Sequence, residues 1–88
     1  MLEKKIQAKI LKYLRLIYPK AVVWKLADTK INGIPDILFI SDGEVIFFEI
    51  KTQYGRLMPM QEYTIRKLNE SGVKAYLVRT LDDVKGIL

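Results

Sequence analysis

Apolar residues recur at helical spacing near the start of the chain. A helix is predicted from Glu3 to about Tyr18, and Pro19 ends it. Its apolar side is formed by residues three or four positions apart, namely Ile6, Ile10, Leu14 and Ile17. Glu3 and Gln7 break the pattern because both project from this apolar side. Both are therefore candidate site residues.

Three short segments rich in β-branched and aromatic residues follow and are predicted to be strands. They cover residues 21–26, 35–40 and 45–51, and residues 28–33 form a polar loop between the first two. Asp42-Gly43 is a strong signal for a tight hairpin turn, so it should join the second and third strands. Trp24, in the first strand, is expected to lie in the core, and a platform on which bases stack is the alternative.

The rest of the chain adds a helix, a strand and a short helix. Pro59 suits the first turn of a helix that runs to about Glu70, and Gly72 ends it. The following strand and terminal helix are predicted over residues 74–78 and 81–88. The order αβββαβα contains a β-α-β unit, which requires a parallel strand pair. We therefore predict a single α/β domain over residues 1–88, with a central mixed four-stranded sheet flanked by helices on both sides.

The composition removes many kinds of chemistry. The 88 residues contain no histidine and no cysteine, which excludes zinc fingers, thiol enzymes and histidine general bases. Catalysis would have to use carboxylates, lysine, arginine, tyrosine, hydroxyl or amide side chains, and a hard metal ion taking oxygen ligands is expected to assist them. The formal charge of +5 favours a polyanionic partner, nucleic acid first. No signal peptide is visible, and apolar runs of four residues are too short to span a membrane.

The hairpin brings two acidic side chains together. A two-residue turn at Asp42-Gly43 pairs Ser41 with Glu44, and the same register places Asp36 directly opposite Glu49, with their Cβ atoms about 4.5–5.5 Å apart. Lys51 points to the same face as Glu49. A three-residue bulged loop would instead put the two carboxylates on opposite faces.

Directly opposed carboxylates destabilise a sheet unless something lies between them. A divalent cation beside Lys51 would make the arrangement favourable. The alternative is an ordinary wet sheet face on which Glu49 and Lys51 form a surface pair. Against this stand the apolar runs at 37–40 and 45–48, which are typical of strands covered on both faces.

The acidic pair belongs to a longer pattern, Gly33-Ile34-Pro35-Asp36 followed thirteen residues later by Glu49-Ile50-Lys51. Helices flank it in a fixed order, with Glu3 on the inner side of the first and Gln61 two residues into the second. Together these features resemble the PD-(D/E)XK nucleases, and within them the virus-type replication-repair (VRR-NUC) branch. The likeness covers nearly the whole chain and implies a restriction-endonuclease-like fold.

The resemblance implies a metal site. Asp36 and Glu49 would ligate Mg²⁺ or Mn²⁺, with the backbone carbonyl of Ile50 as a further oxygen ligand. Glu3 would complete the metal shell, directly or through water. Its position at the start of a helix has an alternative explanation, because acids there favour the helix dipole.

The resemblance also implies catalytic and DNA-binding residues. Lys51 would orient the attacking water or stabilise the transition state, and Gln61 would position the water or Lys51. Gln61 could instead cap its own helix. Lys25, Tyr54 and Arg56 are the candidate DNA-binding residues, although a solvated loop would explain the last two equally well.

The implied function is a metal-dependent DNA endonuclease. The small size leaves no room for a base-reading domain, so structure-selective cutting by a homodimer is expected. The family resemblance implies four-way junctions or other branched DNA as the substrate. The implied location is the cytoplasm of a microbial or phage-infected cell. Two alternatives remain: a non-catalytic nucleic-acid-binding module with the nuclease fold, and a structural domain whose acids pair with lysines.

Overall fold

The computed structural model describes residues 2–26 and 31–88, so residues 28–30 of the predicted polar loop lie outside the described part. The elements follow the predicted order, with boundaries within two residues of those expected. Their bounds are α1 Glu3–Ile17, β1 Val22–Lys25, β2 Ile37–Ser41, β3 Glu44–Ile50, α2 Pro59–Glu70, β4 Lys74–Val78 and α3 Leu81–Ile87.

The four strands form one mixed sheet in the order β1-β2-β3-β4. β1 and β2 pair antiparallel, as do β2 and β3, whereas β3 and β4 pair in parallel. The parallel pair is the one joined through α2, as the β-α-β unit requires. The prediction of a mixed four-stranded sheet flanked by helices is confirmed.

The β2–β3 hairpin has the predicted register. Asp42 and Gly43 have φ angles of 51° and 77°, and both values being positive is the signature of a two-residue type I′ turn. Ser41 pairs with Glu44, and the ladder continues to Ile37 with Phe48. The bulged-loop alternative is therefore excluded.

The hydrophobic core lies on one face of the sheet. Alternate residues of β2 and β3 on this face are buried against Leu14 and its neighbours in α1 and against Val84 in α3. Leu11 of α1 is also buried, at 8% exposure, whereas Ile17 at the end of the helix is 51% exposed. The apolar side of α1 is thus covered only as far as Leu14.

The opposite face is covered unevenly. α2 packs against β4, which is at the far edge of the sheet from β1. Trp24 of β1 points to this face, since its neighbour Val23 points into the core, and its exposure is 58%. The expectation that Trp24 lies in the core is therefore wrong, because no described helix covers this edge. Among residues 2–26 and 31–88, no helix is long and apolar enough to cross a membrane.

Candidate active site

Three carboxylates from three separate elements meet at the open end of the hairpin. Asp36 directly precedes β2, Glu49 is near the end of β3, and Glu3 begins α1. Each offers a carboxylate oxygen, and these oxygens lie within 4.8 Å of one another. The hairpin register, extended by one pair, sets Asp36 opposite Glu49, as the sequence predicts.

Asp36 is held in place through both its backbone and its side chain. Its carbonyl oxygen accepts a hydrogen bond from the Leu26 N–H at 2.8 Å. Its Oδ2 accepts one from the Ile50 N–H at 2.7 Å. The backbone ladder between β2 and β3 therefore gives way to a side chain at this point, which fixes one carboxylate oxygen and leaves the other for a ligand.

Glu49 is the buried member of the cluster. Its exposure is 2%. Its Oε2 accepts a hydrogen bond from Gln61 Nε2 at 3.3 Å, but its Oε1 is buried without a hydrogen-bond partner in the described part of the chain. Burying a carboxylate oxygen without a hydrogen-bond partner is unfavourable for the free energy of folding, so this atom is a candidate metal ligand.

The pKa of Glu49 reflects these surroundings. It is raised from 4.5 to about 8, mainly because burial removes the hydration of the charged form. The negative charge of nearby Asp36 contributes to this rise, whereas the positive charge of Lys51 opposes it. Without a cation, Glu49 therefore holds a proton at neutral pH.

The donor set fits a hard divalent cation. All three side chains offer oxygen, the ligand preferred by Mg²⁺ and Mn²⁺, and one oxygen of Glu49 has no hydrogen-bond partner among residues 2–26 and 31–88. The buried side chain of Ile50 is a hydrocarbon with no ligand atom, so this residue can contribute only its backbone carbonyl. A cation at this point would also relieve the mutual repulsion of the three carboxylates.

Gln61 and Lys51 lie beside the cluster. Gln61 does two things: its Oε1 accepts a hydrogen bond from the Met58 N–H at 2.8 Å, which caps α2, while its Nε2 donates to Glu49. Both interpretations of Gln61 are thus compatible with the geometry. Lys51 directly follows β3, is half-buried, and donates its backbone N–H to the Val78 carbonyl at 3.1 Å.

No protein-family model and no curated protein matches this chain. Among solved structures, a VRR_NUC domain matches with a TM-score of 0.79 over 97% of this chain and 91% of the other, at 23% sequence identity. The chain has the fold of a VRR_NUC domain. The predicted resemblance and the restriction-endonuclease-like architecture are confirmed at the level of the fold.

In this VRR_NUC fold, a cleft of about 270 Å³ opens beside the carboxylates. Asp36 and Glu3 line it, and so do the predicted residues Gln7, Lys25 and Ile50. Lys25 is exposed at this site. Its place in the cleft gives the candidate metal site a basic neighbour.

The cleft also contains Lys4, which the sequence prediction missed. The only signal for it was its position next to Glu3 at the start of α1. Tyr54 and Arg56 do not line the cleft; they lie on the loop that follows Lys51, and Tyr54 is 87% exposed there. The structure therefore brings Lys25 to the carboxylates and leaves Tyr54 and Arg56 on a neighbouring surface.

The glycine of the Gly-Ile-Pro-Asp segment has a structural role. Gly33 has a φ of 85°, and a Cβ atom added to it would lie only 2.5 Å from the carbonyl oxygen of Met60 in α2. The segment that leads into Asp36 thus packs directly on the first turn of the helix that carries Gln61. Any larger residue at position 33 would separate the two.

Proposed function

We propose that this protein is a Mg²⁺- or Mn²⁺-dependent deoxyribonuclease of the VRR-NUC type, formed by the single domain of residues 1–88. The observation that carries the proposal is the buried, unpartnered Oε1 of Glu49, which lies within a cluster of three carboxylates beside Lys51. A buried carboxylate oxygen without a partner is unfavourable for stability, and it suits a metal-dependent phosphodiesterase.

The residues of the cluster would have different roles in hydrolysis. Asp36, Glu49, Glu3 and the Ile50 carbonyl would hold the cation, which when bound lowers the pKa of a water molecule and neutralises charge on the phosphate. Lys51 supplies a fixed positive charge for the negative charge that develops in the transition state. Gln61, through its hydrogen bond to Glu49, fixes the orientation of that carboxylate.

Nucleic acid is the substrate class that the charge distribution favours. The chain carries a net charge of +5, and Lys4 and Lys25 line the cleft next to Asp36. These cations would attract the phosphate backbone to a site whose own carboxylates repel it. Binding should therefore weaken steeply as the salt concentration rises.

We propose further that two copies act together on branched DNA such as four-way junctions. Support comes from the apolar surface at the β1 edge of the sheet, here called the β1 face, which consists of Val22, Trp24, Leu38 and Ile40. Trp24 is 58% exposed and the other three are half-buried. A second copy would cover this face and place two sites across a twofold axis.

Sedimentation velocity tests the dimer. We expect the wild type to sediment as a dimer and Trp24→Glu as a monomer. Leu16→Glu is the matched control, because Leu16 is 72% exposed on α1 and lies outside the β1 face. A monomeric wild type, or a Trp24→Glu variant that remains dimeric, would contradict this assignment.

Cleavage assays test the activity. Four substrates are each incubated with the protein in Mg²⁺, Mn²⁺ or EDTA. They are an end-labelled four-way junction, an end-labelled linear duplex, end-labelled single-stranded DNA and a circular plasmid. We expect metal-dependent cleavage, fastest on the junction, and its loss in Asp36→Asn and Lys51→Met. Asp82→Asn is the matched control, since Asp82 is an exposed acid in the first turn of α3.

Metal binding separates the roles of the two site residues. By calorimetry, Lys51→Met should still bind the cation, whereas Asp36→Asn should bind it weakly or not at all. Binding of DNA without metal, with no cleavage of any substrate, would instead identify a non-catalytic binding module.

A further inference from the structure

The loop that follows Lys51 is tied down by one arginine from a distant part of the chain. The Nη1 atom of Arg79, just after β4, donates hydrogen bonds to the carbonyl oxygens of Thr52 at 2.6 Å, Gln53 at 3.2 Å and Gly55 at 2.6 Å. Three carbonyls of residues 52–55, here called the 52–55 loop, thus share the two hydrogens of a single nitrogen. Hydrogen bonds from a charged donor are stronger than neutral ones.

The backbone of Arg79 is held in place by the first turn of α3. Its backbone N–H donates to Asp83 Oδ2 at 2.8 Å, and the Thr80 N–H donates to the same oxygen at 3.2 Å. The Asp83 N–H in turn donates to Thr80 Oγ1 at 3.1 Å, which completes the cap of α3. The backbone of Arg79 is therefore held at a capped helix start, which fixes the point from which its side chain reaches the loop.

The 52–55 loop in turn meets the candidate catalytic lysine. The Gly55 N–H donates to the Thr52 carbonyl at 3.1 Å, which closes the loop into a turn. A Cβ atom added to Gly55 would lie 3.4 Å from Cβ of Lys51, so the turn folds back against that side chain. Tyr54, at the tip of this turn, is 87% exposed.

We propose that Arg79 is a positioning residue, which holds the 52–55 loop so that Tyr54 and Arg56 are presented in a fixed orientation to nucleic acid beside Lys51. The effect on nucleic-acid binding rests on the proposed function, whereas the hydrogen bonds from Arg79 to the loop do not depend on it. Arg79 has no carboxylate within ion-pair distance in the described part of the chain. The guanidinium of Arg79 donates to the loop carbonyls instead.

Limited proteolysis tests the loop directly. Chymotrypsin can cleave after Tyr54, and mass spectrometry identifies that cut. We expect Arg79→Met to speed this cleavage by about tenfold or more, because the loop opens when its three hydrogen bonds are lost. Arg66→Met is the matched control: Arg66 is an exposed arginine on α2, so its loss should leave the rate unchanged.

DNA-binding and cleavage kinetics test the consequence. In Arg79→Met we expect KM for DNA to rise by a larger factor than kcat falls. The effect should not add to that of Tyr54→Ala, because both changes remove the same presented surface. Arg79→Lys keeps the charge but places its nitrogen one bond nearer the backbone, so it should restore part of the loop protection and part of the affinity together.

Two results would overturn the proposal. One is full DNA affinity in Arg79→Lys while its loop is as easily cleaved as in Arg79→Met, which would mean that the charge contacts DNA directly. The other is an unchanged cleavage rate after Tyr54 in a folded Arg79→Met.

A wild-type measurement covers the case in which the variants do not fold. In nuclear magnetic resonance spectra, the Nη hydrogens of Arg79 should give separate, slowly exchanging signals, unlike those of exposed Arg66. Averaged signals from Arg79 would contradict the proposal. A protein whose 52–55 loop resists proteolysis but which cleaves no DNA would instead support the role of Arg79 in holding the loop and reject the proposed function.

Discussion

Glu44 and Glu49 lie on the same strand, and their surroundings are opposite. Glu44, at the turn end of the β2–β3 hairpin, is exposed and pairs with Lys74, with 2.6 Å between Oε1 and Nζ. Glu49, at the open end, is 2% exposed, and one of its oxygens has no hydrogen-bond partner among the residues that the structure describes. One end of the hairpin satisfies its acid within the chain, whereas the other end leaves its acid incomplete.

The difference shows that the open end of the hairpin is less favourable for stability than the turn end. At the turn end, Asp42 and Gly43 form the tight turn, and Lys74 pairs with the exposed Glu44. At the open end, the side chain of Asp36 replaces a backbone partner and a third acid, Glu3, is brought close. Buried groups that lack partners are unfavourable in the free protein and cluster at functional sites.

The largest expected effect of breaking this contrast is on catalysis. Glu49→Gln keeps the shape of the side chain but removes the charged ligand. Because charge stabilisation by a bound metal is worth several kcal/mol, we expect metal-dependent cleavage to fall by about a thousandfold. Glu44→Gln, the matched change at the other end of β3, should retain wild-type activity. Equal rates for the two variants would contradict the assignment of Glu49 to the metal site.

The second expected effect is on the pH dependence of metal-free stability. Between about pH 4.5 and 8 the folded protein keeps the Glu49 proton, whereas the unfolded chain loses it. The folded state then binds more protons, so its stability should fall as the pH rises through this range. Melting temperatures in EDTA should show that decline in the wild type and in Glu44→Gln, but much less of it in Glu49→Gln.

Metal binding should reverse this trend. The cation must displace the Glu49 proton, so affinity should increase up to about pH 8. Calorimetry in two buffers of different ionisation enthalpy should detect release of about one proton per metal bound at pH 6 and almost none at pH 9. Release that does not change with pH would show that the raised pKa of Glu49 is not linked to the metal.

Much of the open end could be predicted because it depends on local rules. The Asp42-Gly43 turn fixes the register, and the register alone sets Asp36 opposite Glu49. Trp24 was misplaced because alternation gives the face of a strand but does not say how far a helix on that face extends. The three bonds from Arg79 were missed for a similar reason: they join residues 24 to 27 positions apart, and no periodicity links them.

The smallest expected effect is at the turn end. Lys74 and Glu44 have side chains that are 54% and 57% exposed, so water screens their attraction. The hydrogen bond from Lys74 to Glu44, together with the charge of Glu44, raises the pKa of Lys74, but an exposed pair of this kind contributes little to folding.

A double-mutant cycle measures that contribution. Lys74→Met, Glu44→Gln and the double variant should each lower the melting temperature by no more than a few degrees, and the coupling between them should shrink further as salt is added. A large, salt-independent coupling would mean that the turn end stores as much interaction energy as the open end. The contrast between Glu44 and Glu49 would then lie in chemistry alone and not in stability.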